Sequence, residues 1–136
     1  PALSSYAPEG YLEDLASVVF TIMLEKNAAV ENLDAVLDAA GEKGVDMVQW
    51  GPADYGLSRG TPRMMFNDEI RPVEELVIGK CIEYGVPPRI EIADVEQAKR
   101  YLDLGVRHFC IGWDRFILQA GLKTLGEGMR KLTEGI

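Results

Sequence analysis

Two carboxylates follow apolar segments at the points where strands are predicted to end. Glu25 comes directly after the apolar run 18–24, and Asp54 follows the run 47–50 through the turn Gly51-Pro52-Ala53. An ionised carboxylate at the exit of a buried strand has lost part of its hydration, so it needs water, a cation or hydrogen-bond donors. Glu25 and Asp54 could share one divalent ion. The alternative is that Glu25 begins a loop and Asp54 caps a turn, both fully solvated.

The chemistry of such a pair points to a hard cation. Mg²⁺ and Mn²⁺ prefer oxygen ligands, and a site with two protein carboxylates keeps further coordination positions for water and substrate oxygens. We therefore predict a magnesium or manganese site at Glu25 and Asp54, open to a small ligand.

Composition limits the classes of protein to consider. With 136 residues, 47% of them hydrophobic, the chain is predicted to form one domain over residues 1–136. A net charge of −8 disfavours nucleic-acid and anionic-membrane partners. No apolar run reaches the ~20 residues of a membrane span, and no signal-peptide pattern is present, so we expect a cytoplasmic protein. Cys81 and Cys110 lie in apolar segments and are predicted to be reduced core thiols.

Strand-like apolar runs alternate with segments of helical periodicity. The predicted strands are 18–24, 45–50, 89–92 and 106–111, and the predicted helices are 11–16, 27–40, 67–84, 94–104 and one that begins near 113. We expect Asn27 to cap the second helix and Asp94 to form a capping box with Gln97. The segment 51–67 is predicted to be a long loop, and long loops are often functional. Within it, the cluster 64–66 is interpreted as a lid, a subunit contact or a surface loop.

Four strands, each followed by a helix and each continuously apolar, are typical of a parallel α/β sheet with helical crossovers. Half of an eight-stranded barrel fits this count, and an open four-stranded sheet is the alternative. In both folds the chemistry lies at the carboxyl ends of the strands, where Glu25, Asp54 and Trp113 are expected to project. Trp50 and Trp113 then either line the pocket or pack between sheet and helix.

Several segments together resemble the HpcH/HpaI family of metal-dependent (class II) pyruvate aldolases. They are Leu24-Glu25-Lys26, Ala29-Val30-Glu31-Asn32-Leu33, Gly44-Val45-Asp46, Gly51-Pro52-Ala53-Asp54, the run 98–105 and Gly112-Trp113-Asp114. The resemblance implies an α/β fold that is the C-terminal half of a TIM (β/α)8 barrel, with strands five to eight and the preceding helix. A half barrel leaves two open strand edges, so we expect this chain to be a fragment of a longer one that supplies an N-terminal half barrel. The alternative is a split enzyme, completed by another polypeptide or by a second copy. Relatives form hexamers that are built from dimers exchanging the last helix, so the resemblance implies a homo-oligomer, with residues from about Phe116 packed on a neighbour.

The function implied by the resemblance is cleavage of 4-hydroxy-2-oxo acids to pyruvate and an aldehyde. Glu25 and Asp54 correspond to the family's two metal ligands. The turn that contains Gly51, Ala53 and Asp54 would also bind the carboxylate of the small 2-oxo acid through its amides, whereas Pro52 has no N–H to donate.

The chain departs from the family at two positions and lacks several functional groups. Met23 stands where relatives usually have Gln, and Arg89 stands where small residues are common. Arg89 either reaches a substrate acid or pairs with Glu91, and the ion pair is the favoured interpretation. The family's general base and its keto-polarising Arg belong to the N-terminal strands. His108, at the start of the last strand, is expected at the far end of the barrel, so no catalytic residue is assigned here.

Two alternative functions remain open at this point. One is a non-catalytic barrel remnant or assembly piece, which is suggested by Met23 and the missing base. The other is a thioester lyase of the related citrate lyase β-like group, although the turn 51–54 is more similar to that of the aldolases.

Overall fold

A computed structural model of the chain describes residues 9–42, 44–62 and 68–136. Its four strands are β1 (Thr21–Leu24), β2 (Met47–Trp50), β3 (Pro88–Ile92) and β4 (His108–Ile111). The helices are α1 (Tyr11–Ala16), α2 (Asn27–Glu31), α3 (Leu33–Glu42), α4 (Pro52–Ser58), α5 (Ile70–Glu83), α6 (Ala98–Asp103) and α7 (Asp114–Thr133). A short 3-10 turn, Val95–Gln97, leads into α6.

The strands form one parallel sheet in the order β1-β2-β3-β4. Leu24 pairs with Trp50, Gln49 with Arg89, and Ile92 with Ile111. Every connection between neighbouring strands carries at least one helix, as parallel pairing requires. The predicted parallel α/β architecture is therefore confirmed.

The hydrophobic core lies on the side of the sheet that the helices cover. Alternate residues of a strand point to opposite faces, and Ile90 and Ile92 of β3 are buried beneath the helices. Helix α3 contributes Leu37, and α5 contributes Val77, Ile78 and Cys81. Cys81 is a buried core thiol, as predicted, and burial raises its pKa to about 12. The prediction is wrong for Cys110, which is also free but is only partly buried and lies on the opposite face of the sheet, beside Glu91.

A buried polar cluster joins α5 to α6. Glu74 is 6% exposed, and it accepts a hydrogen bond of 3.0 Å from the Tyr101 hydroxyl. Arg100 lies 3.3 Å from the same carboxylate and 2.9 Å from that of Glu75. Burial raises the pKa of Glu74, and the Tyr101 hydrogen bond and the Arg100 charge oppose that shift. Burial, together with the neighbouring Glu74 charge, raises the pKa of Tyr101 to about 12.

The second predicted helix, 27–40, is two helices in the structure. Helices α2 and α3 meet at Asn32, where the Asn32 amide donates to the Ala28 carbonyl at 2.8 Å, a local side-chain contact that competes with helix continuation. The expected cap is also wrong. Lys26 occupies the N-cap position, and Asn27 instead donates to Glu31 at 2.6 Å.

The segment 51–67 is not a plain loop. Residues Pro52–Ser58 form α4, with Pro52 at the first helical position, where its fixed φ favours a helix start. Residues 63–67, which include the cluster 64–66, lie outside the described part of the chain. The predicted cap at Asp94 is confirmed, since the Gln97 N–H donates to Asp94 at 3.2 Å. The reciprocal bond is shifted by one residue, because the Gln97 side chain accepts from the Ala93 N–H at 2.9 Å and not from that of Asp94.

Helix α7 contrasts with every other long element of the fold. It has 20 residues, none of which is buried. Its exposed apolar side chains are Phe116, Ile117, Leu118, Leu122, Leu125, Met129 and Leu132. In the described part of the chain, neither α7 nor any other helix combines the length and apolarity that a membrane crossing requires.

Candidate metal and substrate site

The carboxyl ends of β1 and β2 place Glu25 beside the start of the Gly51-Pro52-Ala53-Asp54 turn. Leu24 and Trp50, the last residues of the two strands, are direct partners in the sheet. The Gly51 N–H continues the ladder by donating to the Leu24 carbonyl at 2.9 Å. Glu25 and Gly51 therefore leave the sheet side by side at the carboxyl ends of β1 and β2.

Gly51 is needed because Glu25 packs directly against it. A Cβ at position 51 would lie 2.9 Å from the Glu25 Cβ and 3.3 Å from the Glu25 Oε2. It would also lie 3.3 Å from the Met23 Cε. The absence of a side chain at Gly51 thus lets the Glu25 carboxylate lie against the backbone that leads to Asp54.

Asp54 is in the first turn of α4 and is exposed. The first intrahelical hydrogen bond runs from the Tyr55 N–H to the Gly51 carbonyl at 2.9 Å. The N–H groups of Ala53 and Asp54 precede this bond, so they have no acceptor within the helix. The Gly51 N–H is different, because it is already bonded to Leu24. Gly51 is therefore placed to provide space at the turn, whereas the amides without an acceptor in the helix are those of Ala53 and Asp54, the two donors that the resemblance implies.

The donor chemistry at this edge fits a hard cation. The Glu25 side chain is 27% exposed, and its Oε1 lies 3.6 Å from the Lys26 ammonium, so a positive charge already accompanies it. No group of three or more His, Cys, Asp or Glu side chains arranged to hold a metal is found among residues 9–42, 44–62 and 68–136. Within these ranges the predicted ligands are the two carboxylates Glu25 and Asp54, and such a pair leaves the remaining coordination positions to other oxygens.

The face of the sheet opposite the helices carries polar side chains. Arg89 and Glu91 alternate with the buried Ile90 and Ile92, so both lie on this opposite face. The predicted ion pair between Arg89 and Glu91 is wrong. Glu91 instead accepts a hydrogen bond of 3.2 Å from the Trp113 indole, because Trp113 follows β4 at the same edge of the sheet.

Neither His108 nor Trp50 presents its side chain to the candidate site. His108 is the first residue of β4 and pairs with Arg89, so it is at the amino end of its strand, as predicted. Trp50 is 3% exposed and contacts the Tyr55 ring at a centroid distance of 4.9 Å. Its position confirms the packing interpretation for Trp50.

Sequence reasoning missed two contacts at this edge. Lys26 was read only as part of a motif, although a Lys adjacent in sequence to a partly buried Glu is a natural counter-ion. The Glu91 contact with Trp113 joins residues 22 apart in sequence. The alternation of buried and exposed residues in β3 predicts that Glu91 lies on the face opposite the helices. No local sequence pattern predicts that its hydrogen-bond partner is Trp113.

Comparison with known proteins identifies relatives for most of this chain. It is 34% identical over 104 residues to a curated 4-hydroxy-2-oxo-heptane-1,7-dioate aldolase from Escherichia coli, and 33% identical over the same length to one from Klebsiella pneumoniae. Each match covers 76% of this chain and 38% of the relative. No family model matches the chain.

Solved structures agree with these relatives in fold. An HpcH/HpaI aldolase from Desulfitobacterium hafniense superposes with a TM-score of 0.75 at 20% identity, covering 93% of this chain and 50% of that protein. The citrate synthase SbnG gives 0.77 at 20% identity, covering 90% of this chain and 49% of its own. This chain is homologous to part of an HpcH/HpaI-family aldolase. It spans about 38% of the length of the curated relatives that it matches.

Proposed function

We propose that this chain supplies the metal-binding and pyruvate-binding half of a class II pyruvate aldolase. In this proposal residues 1–136 form strands five to eight of the barrel, and further chain supplies strands one to four. The observation that carries the proposal is the approach of Glu25 to Gly51, where a Cβ would come within 2.9 Å of the Glu25 Cβ. Such a glycine places a carboxylate against the turn that carries the second acid.

Glu25 and Asp54 would hold the divalent ion, Mg²⁺ or Mn²⁺, directly or through water. When bound, such an ion supplies Lewis-acid stabilisation of the negative charge that develops on a 2-oxo acid in carbon–carbon cleavage. The free N–H groups of Ala53 and Asp54 would bind the carboxylate of the 2-oxo acid at the start of α4. Gly51 contributes the space in which both groups approach.

The reaction breaks the bond between C3 and C4 of a 4-hydroxy-2-oxo acid. A base removes the proton of the 4-hydroxyl, C4 becomes the aldehyde carbon, and the electrons of the broken bond pass to the pyruvate enolate, which is then protonated at C3. We assign neither proton transfer to a residue of this chain, whose one His is at the amino end of β4, away from the proposed site. We assign the base to the half barrel that completes the site.

The exposed parts of the fold support an assembled protein. Strands β1 and β4 are the two edges of the sheet, and unpaired parallel edges favour pairing with more chain. The apolar residues of α7 are exposed along its length, which supports the proposal that this helix packs on a neighbouring subunit of a homo-oligomer.

Metal titration of the protein that carries this chain tests the proposal. Calorimetry with Mn²⁺, with and without pyruvate, should show that Glu25→Gln and Asp54→Asn each weaken metal binding at least tenfold, because each removes an anionic ligand. Asp38→Asn, on the exposed surface of α3, is the matched control and should bind as wild type. Equal affinity in wild type and Asp54→Asn would contradict the assignment.

A non-catalytic role is the second candidate, and Met23 is the observation that favours it. Its methyl group lies beside Gly51, in the position from which a polar side chain would contact substrate or bound water. Exchange of the pyruvate methyl protons in D2O separates the two candidates. Exchange by wild type supports the aldolase, whereas exchange that appears only in Met23→Gln supports a remnant.

A further inference from the structure

Glu91 lies one strand away from the turn 51–54, at the same carboxyl end of the sheet. It lies on the open face of β3, beside Cys110 of β4. Gln49 pairs with Arg89, so the same register carried two residues further brings Glu91 level with Gly51. Neighbouring strands are about 5 Å apart. The carboxylate therefore stands at the same edge of the sheet as Glu25 and within one strand of the turn.

A hydrogen bond holds this carboxylate at the edge. The Trp113 indole N–H donates to the Glu91 Oε2 at 3.2 Å, and the Trp113 ring stacks on Phe116 with centroids 5.4 Å apart and planes 23° apart. Trp113 precedes α7 and Phe116 lies in its first turn. The Oε1 of Glu91 is left free to accept a hydrogen bond, with an aromatic surface beside it.

The negative charge of Glu91 is not neutralised within the described part of the chain. Glu91 forms no ion pair there, and the Lys26 ammonium pairs with Glu25 on the far side of β2. Arg89 shares the face of Glu91, but it lies two residues, or about 7 Å, toward the amino end of β3. A ligand at the carboxyl ends of the strands is therefore closer to the Glu91 carboxylate than to Arg89.

We propose that Glu91 and Trp113 select the part of the substrate that becomes the aldehyde. This inference rests on the proposed aldolase function. The selected class is a 4-hydroxy-2-oxo acid whose remaining chain is uncharged and carries hydroxyl groups. A hydroxyl donates to Glu91 Oε1 while the carbon chain lies on the stacked rings. A chain that ends in a second carboxylate is disfavoured by repulsion from Glu91.

The test is the addition of pyruvate to aldehydes, measured with the complete protein that contains this chain. D-glyceraldehyde is the hydroxylated probe, propanal the apolar probe and succinic semialdehyde the anionic probe. Wild type should give the highest kcat/KM with glyceraldehyde. Glu91→Gln, which keeps the size and the bond from Trp113, should raise kcat/KM for succinic semialdehyde about tenfold, because a like charge a few ångströms away is removed. It should not raise the value for propanal.

Two further variants make the result decisive. Glu96→Gln removes an exposed carboxylate from the 3-10 turn and should leave all three values unchanged. Arg89→Met should change the preference less than Glu91→Gln does. A larger effect of Arg89→Met, or no change of preference in Glu91→Gln, would overturn the assignment.

Pyruvate methyl exchange in D2O keeps this inference separate from the proposed function, because it needs no aldehyde. Normal exchange with an unchanged aldehyde preference in Glu91→Gln refutes the role of Glu91 alone. Loss of exchange in wild type refutes the aldolase proposal, and the role of Glu91 with it.

Discussion

The two faces of the sheet differ in the polarity and burial of their side chains. On the helix-covered face, Val48, Ile90 and Ile92 are buried and apolar. On the opposite face, Arg89 and Glu91 are polar and are not buried. The same strands therefore carry an apolar core on one side and partly exposed polar side chains on the other. A substitution on the covered face changes the stability of the core, whereas a substitution at Gly51 also tests the proposed site.

The helices show the same division. Helix α5 has 14 residues and buries five of them, including Val77, Ile78 and Cys81. Helix α7 has 20 residues and buries none. Both have apolar side chains, so the difference lies in what is available to cover them. Helix α5 packs on this chain's own sheet, whereas the apolar residues of α7 are exposed in the structure.

The largest effect is expected from a core substitution on the covered face. Leu37 is fully buried, so Leu37→Ala should lower the free energy of unfolding by about 2–5 kcal/mol. Leu122→Ala on α7 removes the same atoms from a side chain that is 61% exposed and should cost less than about 0.5 kcal/mol. Urea unfolding of both variants at low protein concentration measures the difference. Equal costs would show that α7 is covered, and a Leu122→Ala cost that grows with protein concentration would identify a second copy as the cover.

A smaller loss of stability is expected from a substitution at Gly51, which follows the carboxyl end of β2. Gly51→Ala places a Cβ 2.9 Å from the Glu25 Cβ, which is not a flexible chain end, so the backbone or Glu25 must shift. We expect destabilisation of about 1–3 kcal/mol, together with weaker Mn²⁺ binding. Gly79→Ala is the matched control. No neighbouring atom lies within 4 Å of its added Cβ, so it should stabilise α5 by about 0.5–1 kcal/mol. Unchanged metal binding in Gly51→Ala would contradict the role of the close approach.

The smallest effect is a pH dependence of the free energy of unfolding that arises from Glu74. Burial raises the pKa of Glu74 above its ordinary value of 4.5, so the folded state binds this proton more tightly than the unfolded chain does. The stability from this group is fully present below pH 4.5 and is lost as the pH rises through the raised pKa. Glu74→Gln keeps an acceptor for Tyr101 and should remove that part of the pH dependence.

Urea unfolding between pH 4.5 and 8 measures this effect. The stability of wild type relative to Glu74→Gln should increase as the pH falls. Glu42→Gln, at the exposed end of α3, serves as the control and should follow wild type throughout. A difference that grows with rising pH would show that the ion pair with Arg100 outweighs the cost of burial.

The sequence predicted the parallel sheet because continuous apolar runs alternated with helical periodicity, and both signals are local. It placed the helix cap at Asp94 for the same reason. It missed α4, because Gly51 and Pro52 are typical of loops as well as of helix starts. It also extended the first strand to Val18, although Val18, Val19 and Phe20 precede β1 and are exposed.

At the candidate site, the sequence predicted that Glu25 and the turn beginning at Gly51 leave neighbouring strands at one edge. The proposed ligand roles of Glu25 and Asp54 remain predictions. What the sequence could not show is which groups were already engaged. The Gly51 amide is bonded to Leu24, and Glu91 is bonded to Trp113 rather than to Arg89. Each of these partners belongs to or follows another strand, so each contact depends on how the strands are aligned in the sheet.

The buried thiol of Cys81 gives this fold a built-in reporter of its own opening. Alkylating reagents attack the thiolate, and a sulfur that is fully covered, with a pKa of about 12, offers almost none of it. Labelling at this position thus requires α5 to separate from the sheet. Cys110 lies on the opposite face of the sheet and is only partly covered. The ratio of the two labelling rates therefore compares local opening of the core with the solvent accessibility of that opposite face.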